Sequence, residues 1–154
     1  MRPTALLVAL LLVVAGCGGG DDADDAIVVS DGLAVVVAWV RPTPTGLTEA
    51  AIYISIENRD AAPDRLIAMS CDRCMVMTPH LTVISDEIAS MTEADPDQDQ
   101  LALVAGGGVE MEPNGLHAMC LGLADPFELG ERFDVVLQFS DHEPIRTPVV
   151  VEDR

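Results

Sequence analysis

Four side chains sit at spacings that suit a soft metal ion. His80 is followed after ten residues by Met91, and His117 is separated from Met119 by a single residue. In a β-strand the side-chain period is two, so His117 and Met119 would project from one face. Leu116, Ala118 and Cys120 would then project from the other. Thioethers select copper(I) over zinc, calcium or magnesium, and imidazole suits copper in either oxidation state. Thioethers neither protonate nor join into disulfides, so a Met/His site persists where thiols are oxidised, as they are outside the cytoplasm. Methionine is also the usual gap-filler of apolar cores, and a single histidine is a common surface residue. Spacing alone therefore leaves a structural role open for each.

The remaining sulfurs and the third histidine offer further chemistry. Cys71 and Cys74 bracket two residues, and Met75 and Met77 follow them towards His80. Three readings fit Cys71 and Cys74: a short-range disulfide, auxiliary copper ligation near His80 assisted by Met75 and Met77, or thiol–disulfide exchange with a partner. Thioredoxin-like chemistry would need a depressed thiol pKa, and no helix start follows the pair. Cys120 is expected in the core, and its pairing with Cys71 or Cys74 stays open. His142 lies in the acidic stretch Ser140-Asp141-His142-Glu143-Pro144, where it is expected to be solvated, with a peripheral copper(II) contact as the other reading.

The elements that must position these residues read as strands. Valine-rich runs occur at Ile27 to Ser30 and Leu33 to Val40. Ala51 to Asn58 alternates, with Ile52, Ile54 and Ile56 on one face. Arg65 to Ser70, Leu101 to Val104, Val109 to Glu112, Leu116 to Leu123, Phe133 to Phe139 and Thr147 to Val151 complete the set. Proline- and glycine-rich turns separate them, among them Pro113-Asn114-Gly115 and Gly106-Gly107-Gly108. Short strands at this spacing predict an all-β antiparallel sandwich or barrel. A helical turn is expected only near Asp86 to Met91. Trp39 is read as core.

The N-terminus reads as an address. Arg2 precedes an apolar and small-residue run from Ala5 to Gly16, which is the length of a signal-peptide h-region and too short to span a bilayer. The run ends in Val14-Ala15-Gly16-Cys17, which resembles a bacterial lipobox. That resemblance implies cleavage before Cys17, lipidation of Cys17 and export, with the protein held by its lipid on the periplasmic or extracellular side. The expected organisation is a lipoprotein signal peptide over 1–16, a flexible acidic tether over 17–26 and one folded domain over 27–152. A formal net charge of −18 opposes binding to nucleic-acid phosphates. No G-x-S-x-G, H-E-x-x-H or phosphate-loop pattern is present, so no catalytic residue is assigned and the chain does not read as an enzyme.

Taken together these segments resemble the periplasmic copper chaperone family PCu(A)C. The resemblance is carried by Ala38-Trp39-Val40-Arg41-Pro42-Thr43, by Ala51 to Asn58 with Asp64-Arg65-Leu66-Ile67, and by Gly115-Leu116-His117-Ala118-Met119 with Gly122-Leu123. It extends over roughly Ile27 to Val151. His80, Met91, His117 and Met119 occupy the family's four metal positions in order. Between Met91 and His117 lie 25 residues, four more than is usual, and the excess falls in Glu93 to Gln100, read as a loop. The resemblance implies a cupredoxin-like β-sandwich with Greek-key connections and an exposed copper site. It also implies delivery of copper towards the dinuclear copper site of cytochrome c oxidase, either to its copper subunit or beside a thiol-bearing copper chaperone. A copper buffer or resistance lipoprotein would present the same ligands. The family is silent on Cys71 and Cys74.

Overall fold

Alternating apolar residues in most strands bury one face of each, and the chain folds so that these faces meet. The computed structural model describes residues 28–85, 88–95 and 99–154. The strands are β1 (Val28–Ser30), β2 (Leu33–Val40), β3 (Glu49–Asn58), β4 (Asp64–Ser70), β5 (Val76–Ser85), β6 (Ile88–Glu93), β7 (Ala102–Leu103), β8 (Gly108–Glu110), β9 (Leu116–Leu121), β10 (Arg132–Phe139) and β11 (Ile145–Val151). One 3₁₀ turn, Asp99–Leu101, precedes β7. Among the described residues no helix is long and apolar enough to cross a membrane. The signal peptide, Cys17 and the tether lie outside the described residues.

The strands hydrogen-bond in the order β6-β5-β9-β3-β2-β11-β10-β4-β7, with β1 beside β2 and β8 beside β3. This path folds over itself into a sandwich. Met69 of β4 and Met77 of β5, far apart along the path, line one small cavity with Leu66 and Leu101. Ile52, Ile54 and Ile56 of β3 share a single core with Val135 and Leu137 of β10 and Val149 and Val151 of β11. The expected all-β class holds, with one refinement. β2 and β11 run parallel, Trp39 opposite Val150, whereas every other strand pair among the described residues is antiparallel. That pair joins the run β6-β5-β9-β3-β2 to the run β11-β10-β4-β7.

Trp39 is buried and lies against Tyr53, with ring centroids 4.6 Å apart. The β1–β2 hairpin turns at Asp31 and Gly32, both with positive φ, as a tight two-residue hairpin turn demands. A Cβ at Gly32 would fall 2.2 Å from the Asp60 carboxylate, so the turn must be glycine for a second reason.

The region between Cys71 and Gln100 departs most from expectation. It carries the β5–β6 hairpin, which the sequence reading left unassigned. Ile88 to Met91, expected as a helical turn, belongs to β6, while Asp86 and Glu87 lie outside the described residues. Pro79 stands inside β5 opposite Ala118, a position that discourages a strand assignment. β6 is an edge strand exposed along its whole length, so it has no buried face to impose alternation on its sequence. The segment expected as a loop from Glu93 begins as the end of β6. Ala94 then turns back, its N–H donating to the Pro79 carbonyl at 2.8 Å.

Candidate metal centre

Three neighbouring strands, β6, β5 and β9, position the four candidate residues. Across β5 and β9, His80 lies directly opposite His117 and Thr78 opposite Met119. Across β5 and β6, Thr82 lies opposite Met91 and Glu93 opposite His80. Because the side-chain period is two, this register sets Met91, His80, His117 and Met119 on one face. The two imidazoles stack with centroids 6.2 Å apart and planes 22° from parallel. Met91 and Met119 both line a cavity of about 470 Å³ that is completed by Gly46, Leu47, Thr48, Glu49 and the two alanines after it. Met119 is covered and Met91 is 63% exposed. Glu49 lines the same cavity, and Glu93 stands opposite His80 in register while also lining the cavity beside Met69 and Met77. Sequence reading assigned them no role, since only the strand register places them there.

His117 is 3% exposed, and its ring has a defined polarity. Nδ1 lies 3.0 Å from the Gly115 carbonyl. A carbonyl only accepts, so Nδ1 carries the hydrogen and Nε2 of the neutral ring keeps its lone pair. That Nε2 is buried without a hydrogen-bond partner. Leaving a buried acceptor unsatisfied costs about 1–3 kcal/mol. A backbone carbonyl fixing the other nitrogen is how metal-binding histidines are commonly oriented. His80 is looser, with Nδ1 3.5 Å from the Thr78 hydroxyl.

The opposite face of the same strands is sulfur of another kind. Cys120 is fully buried and faces away from His117 and Met119, as the period predicts. It is disulfide-bonded to Cys74, 46 residues away in sequence. The short-range Cys71–Cys74 disulfide is therefore not the bond formed. The reason is register: Met75 N–H donates to the Leu121 carbonyl and Met77 pairs with Cys120, which lays the segment before β5 alongside β9. Cys71 is a free thiol with Sγ 3.0 Å from Cys74 Sγ. All three Sγ atoms lie within 4.8 Å of one another. Burial pushes the Cys71 thiol pKa up, partly offset by N–H groups of Arg73 and Cys74. Cys74 is turned to the side away from His80, with Cys71 against it. Met77 is buried in the core, and exposed Met75 rests its sulfur over Gly122.

Residues 33–151 match a family described as "Putative lipoprotein LpqE-like". The chain belongs to the LpqE-like family. A curated relative, "Putative lipoprotein Lxx21020" of Leifsonia xyli subsp. xyli (strain CTCB07), is 29% identical over 122 residues, covering 78% of this chain and 70% of the relative. The LpqE-like fold is also that of solved PCuAC domains. The copper-bound PCuAC domain from PmoF2 superposes with a TM-score of 0.68 at 20% identity, covering 83% of this chain and 98% of that domain. The solution structure of CuI-DR1885 from Deinococcus radiodurans gives a TM-score of 0.57 at 22% identity, covering 75% and 74% of the two chains. The fold expected from the PCu(A)C resemblance therefore holds.

One histidine of this LpqE-like domain lies elsewhere and does different work. His142, expected to be solvated, is clasped between two carboxylates. Its Nδ1 lies 2.7 Å from Asp64 Oδ2 and its Nε2 3.1 Å from Asp60 Oδ2. Two acceptors require both nitrogens to carry hydrogen, which is the imidazolium form. The bonds to Asp64 and then Asp60 accordingly raise the His142 pKa. Burial alone would raise that of Asp64, but donors from Arg65, His142 and Asp141 outweigh it and hold the carboxyl low. The clasp ties the β3–β4 turn to the β10–β11 turn. No spacing signal joins residues about 80 positions apart, so the sequence could not reveal it.

Proposed function

We propose that this LpqE-like domain is an extracytoplasmic copper(I) carrier whose ligands are His80, Met91, His117 and Met119. The observation that carries the reading is the buried, unpartnered Nε2 of His117, on the face shared by the other three. Two imidazoles and two thioethers form a soft, neutral donor set that suits copper(I). The exposure of Met91 leaves one side of the site open to another protein's ligands, as a carrier requires. The nearby carboxylate of Glu49 favours a cation without supplying a soft donor. Copper is the cargo here, and the domain catalyses no reaction of its own. Cys17 carries the lipid that anchors the domain to a membrane on the periplasmic or extracellular side, and the chain from 17 to 26 serves as its tether. The recipient is a copper-accepting protein of the envelope, either the copper subunit of cytochrome c oxidase or a thiol-bearing chaperone that serves it.

Anaerobic titration of the domain with copper(I) against a coloured chelator tests the binding. One tight equivalent is expected, and its loss in His117→Ala/Met119→Ala. Absence of any tight equivalent in the unaltered domain would end the reading. Mixing the loaded domain with an apo oxidase copper fragment tests delivery: metal should move to the fragment, whereas retention would make the protein a buffer.

A further inference from the structure

The three-sulfur cluster behind the copper face is not used by the proposed carrier, and its arrangement has chemistry of its own. A free thiol touches a disulfide. Cys71 Sγ sits 3.0 Å from Cys74 Sγ, and Cys74 is bonded to Cys120. Thiol–disulfide exchange requires a thiolate within reach of a disulfide sulfur, and here the nucleophile is already in contact with the electrophile. The three cysteines also differ in access. Cys71 and Cys74 are partly exposed, while Cys120 has no exposed surface.

We propose that Cys71 is the exchange port of a buried disulfide, able to move the bond from Cys74–Cys120 to Cys71–Cys74 and so offer it to an external dithiol. In the first step the Cys71 thiolate forms a bond to Cys74 Sγ. The Cys74–Cys120 bond breaks, its electron pair leaves on Cys120 Sγ, and Cys120 takes up the proton that Cys71 released. This step is redox-neutral and needs no co-reactant. In the second step a dithiol attacks the bond between the two partly exposed cysteines. It supplies two electrons and two protons, becomes a disulfide itself, and leaves Cys71, Cys74 and Cys120 as thiols.

Two structural consequences follow. A cross-link spanning 46 residues is exchanged for a local one, so β9 loses its covalent tie to the segment before β5. The thiol released on Cys120 is adjacent in sequence to Met119 but faces the core, so the exchange does not add a sulfur to the copper face. The raised Cys71 pKa keeps most of this thiol protonated near neutrality, which makes the port slow at rest and faster in mildly alkaline solution. None of this depends on copper binding.

The test uses the full chain with Cys17→Ser, so that only the three clustered sulfurs can exchange. The protein is held in mildly alkaline buffer without reductant, quenched in acid and alkylated with a maleimide. Digestion after arginine and glutamate puts Cys71, Cys74 and Cys120 on separate peptides, because Arg73 and Glu112 lie between them. The expected result is label divided between Cys71 and Cys120. Label confined to Cys71 at every incubation time would overturn the proposal. A second arm follows reduction by millimolar dithiothreitol. Cys71→Ser should slow loss of the disulfide by roughly tenfold or more, since a thiol already in contact outcompetes a dilute external one. An unchanged rate would show that the dithiol attacks Cys74 directly and that Cys71 is no port.

Discussion

The two faces of the β5–β9 ladder are built from the same twelve or so residues and have opposite chemistry. Outward, Thr78, His80, His117 and Met119 present neutral donors, one of them a buried nitrogen with no partner. Inward, Met77, Ala118 and Cys120 pack in the core, and Cys120 is locked to Cys74. A period of two is enough to keep them apart. One pair of strands thereby keeps thioethers and imidazoles available while its thiol sulfur is removed from competition. A free Cys120 thiolate would be a stronger copper(I) ligand than Met119, and its orientation and disulfide together keep it off the outward face.

The sharpest way to break that division is on the outward face. His117→Ala should weaken copper(I) binding by about a hundredfold or more, because removing even the orienting partner of a metal-bound histidine costs roughly 10–100-fold. Chelator competition measures this. The inward face should respond in the other currency. Cys74→Ser/Cys120→Ser should lower stability by about 2–4 kcal/mol, since the cross-link closes a loop of 46 residues, while leaving copper(I) affinity little changed. Denaturant unfolding beside the same titration checks both halves. Met91→Leu separates sulfur from shape. As an exposed position it should alter stability by no more than about 0.5 kcal/mol, yet copper(I) affinity should fall.

Far from both faces, the His142 clasp should contribute less to stability than the disulfide. His142 has a raised pKa in the fold, so its contribution is full below the ordinary histidine value of 6.5 and fades as pH rises through the folded value. Asp64 has a lowered pKa, so its contribution is present above 3.8 and fades as pH falls through its folded value. His142→Asn should therefore be less stable than the parent by about 1 kcal/mol near pH 5, with the gap closing in alkaline buffer. A gap that widened with rising pH would mean that the imidazole is neutral in the fold.

What was legible in the sequence follows from what each residue needs around it. The alternation of Ile52, Ile54 and Ile56 and the His117-x-Met119 pair are local patterns, so the strands that carry them and the faces they present could be read directly. The β5–β6 hairpin could not, because Pro79 argues against a strand and β6 buries nothing. Without that hairpin, the facing of His80 to His117 was invisible, and the family resemblance alone joined them. Cys74–Cys120 and the Asp60–His142–Asp64 clasp join residues 46 and about 80 positions apart, and only the packed sheet brings them together. The local Cys71–Cys74 spacing drew attention to the right cysteines but not to the bond between Cys74 and Cys120.

Nitrogen-detected NMR of the histidine rings, before and after one equivalent of copper(I), tests whether His117 Nε2 receives the metal. In the metal-free domain His117 should be the Nδ1–H tautomer with an unprotonated Nε2, and copper(I) should shift the Nε2 resonances of His117 and perturb those of His80 while leaving His142 doubly protonated. A His117 ring that carries its hydrogen on Nε2, or whose Nε2 resonance is unmoved by tightly bound copper, would contradict the assignment of this face as the metal centre.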